Sequence, residues 1–194
     1  MATYNEDVSE KIRSTFLRLL DEQPYKRITF KEIATESGMT RQNLYYYYKS
    51  KEHVLEDIIE EFLDDIYDEI MKFNLDKLGA SNEDLMGKTL IITIAEAMRN
   101  NEEKAKCFFS RDVNIVFLNK MVAFLNRMLG SLIRAQNVTV NDPKFIHYLA
   151  LQLSGASYLL LREWLLVDRE FPVERLAELA HPMVAQIIHS LKSN

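Results

Sequence analysis

The fold is decided by residues 29–51, which read TFKEIATESGMTRQNLYYYYKSK. The stretch opens on a capping box, in which the Thr29 hydroxyl accepts from the backbone of Glu32 and the Glu32 carboxylate accepts in return. Gly38 suits the end of this first helix, because glycine adopts a left-handed backbone without strain. Thr40 and Ser50 are N-cap residues for two further helices. The spacing predicts two short helices joined by a tight turn, which is a helix-turn-helix.

The second short helix carries more polar and aromatic side chains than its packing needs. Only Leu44 and Tyr48 are required to hold it against its neighbours. The other residues are of the types that bond DNA: Arg to guanine, Asn or Gln to adenine, Lys and Tyr hydroxyls to phosphate. Two alternatives stay open: a chance helical hairpin, and tyrosines that pack under a neighbouring helix.

Helical periodicity continues along the rest of the chain. Apolar residues recur three or four positions apart in a first stripe from Val8 and in a long stripe after Ser50. Further helices are predicted at 83–99, 102–110, 113–136, 144–168 and 173–191, with a polar break at 138–143. We therefore predict an all-α fold, in which a three-helix helix-turn-helix domain, residues 1–51, is joined to a larger helical bundle, residues 52–194.

Composition narrows the class of protein. The chain has 194 residues, of which 47% are apolar, with one cysteine, Cys107, and four scattered histidines. These numbers exclude an internal disulfide framework and give no reason to expect a metal or a cofactor. The acidic N-terminus does not fit a signal peptide, and the apolar runs fall far short of the roughly 20 residues of a membrane span. With no nucleophile–base pair or phosphate loop in the sequence, we expect a cytoplasmic protein that is not an enzyme.

The net charge of −5 hides an uneven distribution. Residues 23–51 contain six Lys and Arg against two acidic side chains, whereas residues 52–69 contain nine acidic side chains and no Lys or Arg. Like charges four residues apart on a helix repel one another. The acidic segment is interpreted either as a solvated helix face or as a surface that keeps DNA away from all but the helix-turn-helix.

The run LYYYYKSKE at residues 44–52, preceded by Ile33-Ala34 and Gly38, resembles the N-terminal DNA-binding domain of TetR-family regulators. The resemblance extends over about residues 8–62. The family pattern commonly has His and then Phe where this chain has Tyr47 and Tyr48. The resemblance implies a homodimer that places one recognition helix per subunit in a major groove of a palindromic double-stranded operator.

The resemblance also implies roles for individual residues. Arg41, Gln42 and Asn43 would face bases, and the two threonine caps would bond phosphates. Tyr45 and Tyr46 would brace phosphates or touch thymine methyls, and the two lysines would anchor the DNA backbone. The complete set of implied DNA-binding residues is Thr29, Thr40, Arg41, Gln42, Asn43, Tyr45, Tyr46, Tyr47, Lys49 and Lys51.

The C-terminal two-thirds is rich in Met and Phe, which line either a core or an adaptable pocket for a small apolar or aromatic effector. The candidate pocket residues are Met98, Phe109, Phe117, Met121, Phe124, Tyr158 and Trp164. The last two helices contain the small residues Gly155, Ala156 and Ser157, which permit close helix approach. Those two helices form either a four-helix dimer interface or an internal core.

These expectations describe an effector-responsive repressor that binds a palindromic operator as a dimer. A regulator of the same fold that is controlled by a partner protein, or an activator, stays open as the alternative. An enzyme built on a helical bundle is the other class considered, and no residue constellation in the sequence supports it.

Overall fold

The structure, a computed structural model, describes residues 2–72, 83–109, 112–135 and 143–192. All regular structure within these ranges is helical, which confirms the all-α prediction. The helices are α1 (Ala2–Glu22), α2 (Phe30–Glu36), α3 (Arg41–Tyr47), α4 (Lys51–Lys72), α5 (Glu83–Asn100), α6 (Glu102–Phe108), α7 (Asn114–Ala135), α8 (Pro143–Leu166) and α9 (Val173–Lys192). The predicted C-terminal helices agree with these bounds to within about two residues, and most of the predicted polar break, residues 138–142, lies outside the described residues.

The described residues fall into two compact units. The first unit comprises residues 1–62 together with residues 107–117. The second comprises residues 63–106 and 118–194, so that α4 begins in the first unit and ends in the second.

The first unit is built around the apolar faces of α1 and α4. Its fully buried side chains include Phe16 of α1 and Ile33 of α2. Residues 107–117 join this unit through a cluster of phenylalanine rings. The ring of Phe108 lies 5.1 Å from those of both Phe62 and Phe117, and Phe109 packs edge-on against Phe117 at 5.4 Å. Aromatic pairs at such distances add to the free energy gained by burial alone.

The second unit is held by α9. Helix α5 packs along α9, and α8 contacts α9 as well. Small residues at this contact, Ala177 and Ala180, meet Ile91, which allows the helix backbones to approach closely. Trp164 of α8 is buried and donates from Nε1 to the carbonyl of Phe171 at 2.9 Å, which fixes the turn before α9.

Candidate nucleic-acid interface

Residues 29–47 form the predicted helix-turn-helix. The capping box of α2 is complete, because the Thr29 hydroxyl accepts from the Glu32 N–H at 3.1 Å and Glu32 accepts from the Thr29 N–H. Gly38 lies in the turn with φ of 69°, as its left-handed role predicts. The Thr40 hydroxyl accepts from the Asn43 N–H at 3.1 Å and caps α3.

Helix α3 has one buried side chain and an exposed face. Leu44 is fully buried, and α3 packs on α2. Arg41, Gln42 and Asn43 are all exposed, and Tyr45 and Tyr46 have 59% and 76% of their surface exposed. Large aromatic side chains are seldom left this exposed without a function. The sequence alternative in which Tyr45 and Tyr46 pack under a neighbouring helix is therefore wrong for this chain.

The exposed tyrosine rings are nevertheless braced by other rings. Tyr45 lies 4.9 Å from the ring of Phe30 on α2, and Tyr46 lies 5.2 Å from the ring of Tyr47. Tyr47 itself is half-buried. Bracing limits the rotamers of these side chains, so their hydroxyls are presented to a partner at a smaller entropic cost.

Thr29 and Thr40 remain able to donate a hydrogen bond outward. Each hydroxyl oxygen accepts from a backbone N–H within its own helix, and a hydroxyl that accepts keeps its hydrogen for donation. Both residues are exposed. An exposed hydroxyl donor at a helix start suits a phosphate oxygen, because the helix dipole also favours an anion there.

The two lysines after α3 have different surroundings. Lys49 is exposed, whereas the ammonium of Lys51 donates to the carbonyls of Tyr25 at 2.9 Å and Ile28 at 2.8 Å. The same ammonium lies 4.3 Å from the centre of the Tyr25 ring. An ammonium has three donors, so one N–H of Lys51 remains for a phosphate after these two bonds. Sequence reasoning did not anticipate this internal role.

A polar cluster at the exit of α3 was also not anticipated. Tyr48 is buried and its hydroxyl donates to Oδ2 of Asp57, and Arg13 donates to the same oxygen at 3.2 Å. Arg13 also pairs with Glu10 and Glu61. The departure of Tyr48 from the phenylalanine typical of the resembled family was the one available sequence indication. Asp57 and Glu61 are thus paired in the structure, so the acidic segment is more than a solvated face.

The electrostatics of this cluster keep its donors protonated. Burial raises the pKa of the Tyr48 phenol to about 12, and the hydrogen bond to Asp57 acts in the same direction. Burial lowers the pKa of Arg13, but its bonds to Glu10 and Asp57 and the charge of Glu61 outweigh that effect and raise it. Both groups therefore act as hydrogen-bond donors throughout the neutral pH range.

The candidate pocket residues are all buried, and the two units divide them. Phe109 and Phe117 belong to the phenylalanine cluster of the first unit. The remaining five lie in the second unit: Met98, Met121, Phe124, Tyr158 and Trp164. Around Phe124, the Tyr67 ring lies at 6.5 Å and the Arg127 guanidinium at 5.9 Å.

Across residues 2–72, 83–109, 112–135 and 143–192, the acidic, histidine and cysteine side chains form no group that could hold a metal ion. No helix within those ranges has the length and apolar character needed to cross a bilayer.

The helix-turn-helix matches a known family. Residues 12–58 match the model of "Bacterial regulatory proteins, tetR family". Over 56 residues the chain is 36% identical to the uncharacterized HTH-type transcriptional regulator YxbF of Bacillus subtilis. That match spans 29% of this chain and only 15% of the relative's length.

Two solved structures share the fold over nearly the whole chain. A TetR-family transcriptional regulator from Syntrophomonas wolfei superimposes with a TM-score of 0.68 at 19% identity, covering 94% of this chain and 95% of that one. Thermus thermophilus FadR, a TetR-family repressor in complex with lauroyl-CoA, gives a TM-score of 0.61 at 15% identity, covering 91% and 92%.

The family match over residues 12–58 and the exposed face of α3 both identify this region as a DNA-binding helix-turn-helix. Residues 12–58 are therefore a helix-turn-helix of the TetR type, and the fold of the chain is similar to that of a TetR-family regulator of known structure.

Proposed function

We propose that this chain is an effector-responsive repressor that binds a palindromic operator as a homodimer. Residues 1–51 would be the DNA-binding domain, and residues 52–194 would bind the effector and the second subunit. The observation that carries the proposal is α3 itself, whose buried residue Leu44 holds the helix while its polar and aromatic face stays exposed. Because the ligand is DNA, we place the protein in the cytoplasm.

The exposed residues divide into two proposed roles. Arg41, Gln42 and Asn43 would bond base edges in the major groove, since guanidinium and amide groups match the donors and acceptors of guanine and adenine. The remaining contacts would position the domain on phosphates and sugars. The positioning set comprises Thr29, Thr40, Tyr45, Tyr46, Tyr47, Lys49 and Lys51.

Selection from random double-stranded DNA tests this proposal. The wild-type protein should enrich a palindrome whose half-site centres lie one helical turn, roughly 34–36 Å, apart or a multiple of it. The matched control is the Arg41→Ala, Asn43→Ala double variant, which leaves Leu44 and the Thr40 cap in place and should enrich no such sequence. Failure of the wild-type protein to enrich any sequence would refute the proposal.

The dimer proposal is supported by an exposed apolar stripe on α8. Phe145, Tyr148, Leu159 and Leu166 recur at helical spacing along one side, and Tyr148 and Leu159 are about two-thirds exposed. A stripe of this length on a surface helix is typical of a protein–protein contact. Gly155 lies within it, and a Cβ built there would meet nothing within 4 Å among the described residues. A glycine inside a helix costs roughly 1 kcal/mol relative to alanine, so close approach of a second subunit gives it a purpose.

Sedimentation equilibrium tests the dimer. We expect Leu159→Glu to convert a dimer into a monomer, because the charge would be buried in the interface. Ile115→Glu is the matched control, since Ile115 is 60% exposed but lies on α7. A wild-type monomer, or an equal effect of both substitutions, would contradict the proposed interface.

The effector proposal concerns the five buried candidates of the second unit. Met98, Met121, Phe124 and Trp164 would supply an apolar lining, and the Tyr158 hydroxyl would add a polar atom; all five side chains are buried. Such a lining suits an acyl or aromatic compound. The lauroyl-CoA held by the FadR of the same fold supports an apolar effector for this chain.

Operator titrations with and without added compound test effector control. An effector that favours a different separation of the two recognition helices weakens operator binding, and DNA must weaken effector binding by the same factor. A long-chain acyl-CoA and a simple phenol are suitable first probes. Operator affinity that no compound of either class changes would favour control by a partner protein.

A further inference from the structure

One carboxylate oxygen joins three helical elements of the first unit. Oδ2 of Asp57, on α4, accepts from Arg13 of α1 at 3.2 Å and from the hydroxyl of Tyr48. Tyr48 is the residue at which α3 ends, with an extended backbone at φ −133° and ψ 138°. The C-terminal end of the DNA-reading helix is therefore bonded to the same atom as the N-terminal helix of the chain.

The hydroxyl of Tyr48 is not explained by packing alone. The side chain is 8% exposed, and a phenylalanine ring would fill nearly the same space. A buried hydroxyl destabilises the fold unless it has a hydrogen-bond partner. Asp57 is that partner, so the buried hydroxyl is compensated only while the Asp57 carboxylate is present.

The charges around Asp57 make the hydrogen bond from the Tyr48 hydroxyl more important to this cluster. The guanidinium of Arg13 faces three carboxylates, those of Glu10, Asp57 and Glu61, at 3.1–3.2 Å. One cation does not neutralise three anions, and Tyr48 supplies a further donor to the excess negative charge. Hydrogen bonds to an ionised acceptor are roughly twice as strong as neutral ones.

Besides Tyr48, helix α3 is held by the buried side chain of Leu44 and by Tyr45, whose ring packs on Phe30 of α2. Helix α3 spans seven residues, Arg41–Tyr47, with Leu44 as its buried side chain. A helix this short is marginal by itself, so its orientation depends on the contacts at its two ends. Leu44 fixes the middle of α3, and Tyr48 fixes its exit.

We propose that Tyr48 is a positioning residue for DNA reading, which acts through its hydrogen bond to Asp57 to hold α3 against α4 and, by way of Arg13, against α1. The proposal rests on the proposed function, in which α3 reads the operator. It predicts that loss of one hydroxyl loosens α3 and weakens sequence-specific binding, although Tyr48 touches no base.

The test compares Tyr48→Phe with Tyr25→Phe. Both substitutions remove a hydroxyl that donates to a carboxylate, since Tyr25 donates to Glu52 at 3.1 Å, but Tyr25 does not lie on α3. Hydrogen exchange in the absence of DNA should be faster at the amides of residues 44–48 in Tyr48→Phe and unchanged there in Tyr25→Phe. Operator affinity should fall about tenfold in Tyr48→Phe, with non-specific affinity unchanged.

A double-mutant cycle with Asp57→Ala tests whether Tyr48 affects DNA reading through Asp57. The quantity compared is the ratio of specific to non-specific affinity, which a merely structural role would leave unchanged. Tyr48→Phe should have no further effect on the ratio of specific to non-specific affinity once Asp57 is alanine. Equal effects of Tyr48→Phe in both backgrounds would overturn the proposal, as would unchanged exchange in α3. If the wild-type protein selects no DNA sequence, the proposed function fails, and the exchange measurement alone decides whether Tyr48 holds α3.

Discussion

Replacement of Lys51 by methionine separates two effects of one ammonium group. The ammonium donates to two backbone carbonyls and lies over the Tyr25 ring, and it is also a proposed phosphate contact. Methionine keeps an unbranched side chain of similar length, so packing along the stem is preserved. Lys49→Met is the matched control, because Lys49 is exposed two residues earlier.

The magnitude follows from the bonds that are lost. Hydrogen bonds to a charged group each contribute about 1.5–3 kcal/mol to the free energy of unfolding. At a half-buried site, water can bond the two carbonyls in place of the ammonium and recover part of that free energy. We expect Lys51→Met to lower the free energy of unfolding by about 2 kcal/mol, which for a chain of this size lowers Tm by roughly 4–8 °C. Lys49→Met should change the free energy of unfolding by less than about 0.5 kcal/mol.

Operator titrations over a range of salt concentrations complete the test. Each lysine that contacts a phosphate should reduce the slope of log affinity against log salt by about 0.9. Equal Tm values for the two variants would refute the internal clamp at Lys51. A lowered Tm with an unchanged salt slope would refute its phosphate contact and leave the clamp intact.

Four further predictions concern the same domain. Leu44→Ala should lower the free energy of unfolding by about 2–5 kcal/mol in denaturant titrations, since the side chain is fully buried. Tyr46→Ala should instead leave the free energy of unfolding unchanged and weaken operator binding. Equal losses of stability in Leu44→Ala and Tyr46→Ala would contradict the distinction between a buried and an exposed face of α3. Gln42→Ala should relax the selected sequence at one position per half-site, and an unchanged motif would show that Gln42 reads no base. The raised phenol pKa of Tyr48, about 12 against about 10 in the unfolded chain, stabilises the fold below pH 10 and ceases to do so as pH rises toward 12. The Tm of the wild-type protein should therefore fall between about pH 10 and pH 12. An equal fall of Tm in a Tyr48→Phe variant would contradict the assignment of this effect to Tyr48.

Local chemistry made the helix-turn-helix predictable. The caps at Thr29 and Thr40 and the turn at Gly38 each depend on residues within four positions, and the structure confirms all three. Helical periodicity located the C-terminal helices for the same reason, because the spacing of apolar residues is also a local property of the sequence.

Contacts between distant segments were not predictable in this way. The pairing of Arg13 with Asp57 joins residues 44 positions apart, and Lys51 bonds carbonyls 23 and 26 positions earlier. Lys49 and Lys51 cannot be told apart by sequence. The folded structure places the Lys51 ammonium over the Tyr25 ring. The inclusion of residues 107–117 in the first unit likewise depends on phenylalanine rings that meet only after folding.

Helix α3 is proposed to read a specific DNA sequence. The most direct measurement is the equilibrium affinity of the wild-type protein for its selected palindrome and for a scrambled duplex of the same composition, at about 0.15 M salt. If α3 reads the sequence, the palindrome should bind roughly a thousandfold tighter or more, with affinity falling steeply as salt is raised. Equal affinities for the two duplexes would contradict this proposal.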